Sequence, residues 1–226
     1  MPYDTWSPWD PNPTDTPEQA ARLQARLQRA QASVRAMLPS LEAEIENSDR
    51  DMNSVGEVLR PYYDALRNLP MTIDDLPQIE SLFSLILEKG GLRQNEIQTA
   101  LLRLVGATAA PESVSFLLGA LHFSRRGDQF GPERRQLALW GLARIAIKKP
   151  NPEAYQALRK GLDDHHRDVR FTTLDLILDA YLSAEKGVPK DVFEKMQKMA
   201  RSDPDQSVRR TAKRYLKEPW AQEGNV

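Results

Sequence analysis

Cysteine is absent from all 226 positions of the sequence. Its absence excludes disulfides and thiolate metal sites, and it fits a reducing compartment. No run reaches the roughly 18 consecutive apolar residues that a membrane-spanning helix needs. The start, Met1-Pro2-Tyr3-Asp4, lacks the basic segment followed by an apolar one that marks a signal peptide. A cytoplasmic protein with no membrane partner is the expectation. There is no sustained period-two alternation bounded by hairpin turns, so no strand is predicted. A Gly-rich phosphate loop ending in Lys-Ser/Thr, a Gly-x-Ser-x-Gly elbow and a paired-carboxylate motif are missing as well. The linear sequence therefore gives no positive sign of catalysis, and no metal or cofactor is expected.

Hydrophobic residues make up 40% of the chain and charged residues 28%, as in a folded protein. The net charge of −1 conceals an asymmetry. Residues 1–122 hold 10 Lys+Arg against 17 Asp+Glu, and the rest holds 21 against 15. A positive C-terminal half can attract an acidic partner over distance.

Proline punctuates the chain. Residues 1–16 carry Trp6 and Trp9 among four prolines, which predicts an extended arm, packed on its own domain or docked on a partner. Pro-Glu recurs at 17–18, 111–112, 132–133 and 152–153. Proline at the first helical position gives up an N–H that lacks a partner anyway, and the glutamate complements the positive helix end. Thr16 with Gln19 forms a predicted capping box, Asn151 a predicted cap, and Asp203-Pro204 a further helix start. One helix is predicted from Pro17 to about Asn47, kinked or divided at Pro39. Its apolar stripe is Leu23, Leu27, Ala30, Val34, Leu38, Leu41 and Ile45. A second, near 54–69, completes a helical pair over residues 17–70.

From Leu76 the predicted helices come in pairs: 77–89 with 93–105, 111–122 with 132–148, 152–162 with 167–183, and 190–201 with 206–217. A period near 40 residues belongs to stacked helix pairs. Leu137 to Ile147 is apolar around most of a helix, which requires cover on two sides. The last helix differs, because Val208, Ala212, Tyr215 and Leu216 fall on one side and Arg209, Arg210, Lys213, Arg214 and Lys217 on the other. One face is meant for burial, as in a terminal repeat, and the other is a basic strip.

Two segments carry a family resemblance. Asp203-Pro204-Asp205-Gln206-Ser207-Val208-Arg209-Arg210-Thr211-Ala212 resembles the turn and second helix of a HEAT-like repeat, and Asp164-His165-His166-Arg167-Asp168-Val169-Arg170 is a second copy. In both, an aspartate precedes an arginine by six residues, Asp164 to Arg170 and Asp203 to Arg209. Asp128 and Arg134 keep that spacing without the rest of the motif. The resemblance implies an all-α fold, a short right-handed α-solenoid over residues 71–217 with a flexible tail at 218–226. It also implies a ladder of hydrogen-bonded charges between successive turns, and a role in binding.

The cluster Asp163-Asp164-His165-His166-Arg167-Asp168 holds two of the three histidines. Adjacent helical residues point about 100° apart, so a turn carrying a ladder aspartate is the better reading than a metal site. Arg125 and Arg126 sit in the longest predicted loop of the array, where they could grip a carboxylate or phosphate. The leading expectation is a non-enzymatic scaffold or adaptor that binds another protein, with Trp6, Trp9 and Trp220 as docking candidates. The alternative is nucleic-acid binding through Arg125, Arg126, Arg209, Arg210, Lys213 and Arg214. HEAT-like repeats also occur in bilin lyases and a class of DNA-base glycosylases, but no catalytic residue of either matches a position here.

Overall fold

A computed structural model describes residues 12, 14–46, 62, 66, 69–89, 94–122, 130–183 and 187–218. Trp6, Trp9, Trp220, Arg125, Arg126, Asp128 and most of the predicted 54–69 helix lie outside them. The described residues form helices and no strand: α1 (Pro17–Glu46), α2 (Leu76–Lys89), α3 (Gln94–Thr108), α4 (Val114–His122), α5 (Gly131–Lys148), α6 (Pro152–Gly161), α7 (Arg167–Ser183), α8 (Lys190–Ser202) and α9 (Gln206–Tyr215). Short 3-10 turns at Ile73–Asp75 and Pro111–Ser113 lead into α2 and α4. None of these helices is long and apolar enough to cross a membrane. The chain falls into two compact units that divide within α4, between Phe116 and Leu117.

In the N-terminal unit, Thr16 and Gln19 cap α1 reciprocally: the Thr16 amide donates to Gln19 Oε1 at 2.8 Å and the Gln19 amide to Thr16 Oγ1 at 3.3 Å. The helix runs through Pro39 undivided. Val34, Leu38, Leu41 and Ile45 are buried, whereas Leu23, Leu27 and Ala30 are half-buried. α1 packs on α2, and α2 on α3. Arg35 ties α1 to the turn before α2 with two bonds of 2.7 Å to Asp75, and Gln31 donates to the Pro70 carbonyl at 2.7 Å. α3 ends at Ala109, whose positive φ of 49° supplies the left-handed residue that stops a helix.

The C-terminal unit is built around α5 and α7, which pack on each other; α6 packs against both. α9 packs on α7 and α8. Every residue of α5 from Leu137 to Ala146 is buried, Arg144 included, in keeping with a sequence that is apolar around most of the helix. Asn151 Oδ1 caps α6 by accepting from the Ala154 amide at 2.9 Å. The start of α9 differs from the sequence expectation. Asp205, accepting from the Ser207 and Val208 amides, is the cap, and Pro204 precedes it instead of opening the helix. α9 buries Val208 and Ala212. Arg210, Lys213, Arg214 and Lys217 are exposed, while Arg209 is half-buried.

Candidate functional site: charged rungs and the cavity beside them

The turns of the C-terminal unit are joined by arginine–aspartate pairs. Arg170, near the start of α7, reaches forward to the turn before α9, and its Nε and Nη2 donate to the two carboxylate oxygens of Asp203, both at 2.8 Å. Its Nη1 turns back to the carbonyls of Asp164 and His165, at 2.8 and 3.2 Å. One guanidinium thus binds its own turn and the next one. Both side chains are withdrawn from water, Asp203 to 4% exposure and Arg170 to 10%. Hydrogen bonding to Asp203 raises the Arg170 pKa against the opposing effect of burial.

The preceding rung runs from Arg135 to Asp164; Asp128, expected to pair with Arg134, lies outside the described residues. From α5, Arg135 donates to Asp164 through Nε at 2.7 Å and Nη2 at 2.9 Å. Burial works against the Asp164 carboxylate, but the Arg135 bonds, the His166 amide and nearby positive charge outweigh it and hold its pKa below the usual value. Arg170 and Arg209 are the fourth residues of their helices and Arg135 is the fifth of its own. A one-residue change rotates a side chain by about 100°, so Arg135 enters its rung from a different phase of its helix. Arg209 folds back on the carbonyls of Asp203 and Pro204.

Tyr215 joins α9 to α7 through its hydroxyl, which donates to the Asp175 carboxylate. Burial and this bond push the Tyr215 hydroxyl up to about 12. Burial also raises Asp175, partly offset by the bond from Tyr215.

Beside the first rung lies a cavity of about 550 Å³. Its apolar lining comes from Leu118 and Leu121 of α4, Leu139 of α5 and Ala157 of α6. Its polar lining includes His122, Arg135, Glu153, Lys160 and His165. No linear motif announces it, because its residues are scattered from 118 to 165 and only α4, α5 and α6 together bring them to one place. Among the described residues no group of three or more His, Asp or Glu side chains could hold a metal ion.

Comparison of the chain with protein-family models, with curated proteins and with solved structures finds no match.

Proposed function

We propose that the chain is a non-enzymatic scaffold of the HEAT-like kind that binds a partner protein along its helical surface. The observation that carries this reading is the pair of successive rungs, Arg135 to Asp164 and Arg170 to Asp203. Buried charge pairs with two-point geometry fix the register between neighbouring helix pairs, which is what a rigid binding surface requires. Along that surface α7 offers Asp168, Phe171 and Asp175 at least partly to solvent, and α9 offers Arg210, Lys213 and Arg214. A partner would be gripped by a few aromatic or arginine anchors within such a field. The test is affinity purification from native cells with the intact chain, a chain lacking residues 1–16, and one with Arg210, Lys213 and Arg214 changed to Glu. One stoichiometric protein, lost with either alteration, supports the reading; no protein retained by the intact chain overturns it.

A second reading, nucleic-acid binding, draws on the exposed basic face of α9. It requires binding to duplex or single strands that weakens steeply as salt rises, and failure to bind a phosphate-rich resin at low salt excludes it.

A further inference from the structure

We infer that the cavity between α4 and α6 is a binding site for a carboxylate carried on an apolar body, the chemistry shared by a free apolar carboxylic acid and the C-terminal residue of a peptide. Its volume of about 550 Å³ lies within the roughly 300–1,000 Å³ of small-molecule sites, and its lining joins apolar side chains to a larger number of polar and charged ones.

The charges select the sign of the ligand. Asp164 carries negative charge into the site, but both its oxygens are already engaged, one by Arg135 Nε and the other by Arg135 Nη2 and the His166 amide. Arg135 itself is 93% withdrawn from water by residue exposure of 7%, and its Nη1 makes no hydrogen bond among the described residues. Lys160, in the last turn of α6, has no ion-pair partner among them either. Arg135 and Lys160 therefore give the lining unspent donors and positive charge. Glu153 lies seven residues earlier on α6, about 10 Å away along the axis. The apolar part of the lining, made by Leu118, Leu121, Leu139 and Ala157, suits a hydrocarbon or aromatic body whose carboxylate is taken by Lys160 and Arg135.

The test uses the full chain and calorimetric titration with 2-naphthoate, its uncharged amide, and an acetylated tripeptide ending in leucine with a free or amidated terminus. The acid or the free-terminus peptide is expected to bind, at least about tenfold more tightly than its uncharged counterpart. Whichever binds better identifies the source of the carboxylate. Lys160→Gln and Gln156→Glu, both at exposed positions of α6, are expected to weaken binding by about tenfold or more while leaving the melting temperature unchanged. Equal binding of charged and uncharged ligands, insensitivity to both substitutions, or no binding of any ligand overturns the inference.

Discussion

At the scale of single residues, the consequential groups are the buried charges. Asp203 receives two hydrogen bonds from Arg170 and is almost fully withdrawn from water. Replacing it with alanine leaves a buried guanidinium without its counter-ion, a loss of about 3–5 kcal/mol for a buried pair. Denaturant unfolding of Asp203→Ala should show a drop of that order, and a change under 1 kcal/mol would mean that water reaches Arg170 freely. Asp75 supplies a pH test in the other unit. Hydrogen bonding from Arg35, working against burial, lowers its pKa from 3.8 to about 2. A depressed carboxylate contributes stability that is complete above its unfolded value and fades as pH falls through its folded one. The unfolding free energy should therefore decline between about pH 4 and pH 2, with a shallower decline in Asp75→Asn.

At the scale of elements, close packing of α6 on α7 depends on Gly161. A Cβ there would lie 2.8 Å from Thr173 Oγ1, 2.9 Å from its Cγ2 and 3.0 Å from Leu139 Cδ1. Thr173 is fully buried and its hydroxyl donates to the Val169 carbonyl, so this β-branched side chain cannot turn aside. Gly161→Ala should destabilise by about 1–3 kcal/mol of overpacking, less the roughly 1 kcal/mol that alanine returns to a helix. Thr173→Ala in the same chain should recover part of the loss, and purely additive effects in the double-mutant cycle would contradict the contact. The tie between α9 and α7 has its own signature. Because the folded Tyr215 hydroxyl titrates near 12, above its ordinary 10.0, its contribution is intact below pH 10 and is lost as pH rises toward 12. Tyr215→Phe should remove that alkaline slope from the stability profile.

At the scale of the C-terminal unit, burial is graded. α5 and α7 are enclosed by neighbours, whereas α9 buries one face and leaves three basic side chains in water. Amide hydrogen exchange should be slowest in α5 and α7 and fastest, among these three, in α9. Protection of α9 equal to that of α7 would show that the terminal helix opens only with the whole unit.

Much of the helical plan was legible because its signals are local. Pro17, Pro152, Asn151 and the Thr16–Gln19 box act within one turn of chain, and the largely apolar run from Leu137 called for a helix covered on two sides. Local rules failed where two neighbours competed for one role. Pro204 and Asp205 both look like helix-start residues, and the side chain that reaches the amides of Ser207 and Val208 decided between them. Arg135 meets Asp164, a partner 29 residues further along the chain that no local spacing names. The cavity lay beyond any linear reading, since its wall is assembled from side chains up to 47 residues apart, Leu118 to His165. Sequence by itself set the helices and their buried stripes, because backbone capping and helical periodicity depend on near neighbours. Which arginine meets which aspartate, and where empty space with unspent donors remains, was decided only by packing, because both depend on distances between segments that the chain does not place side by side.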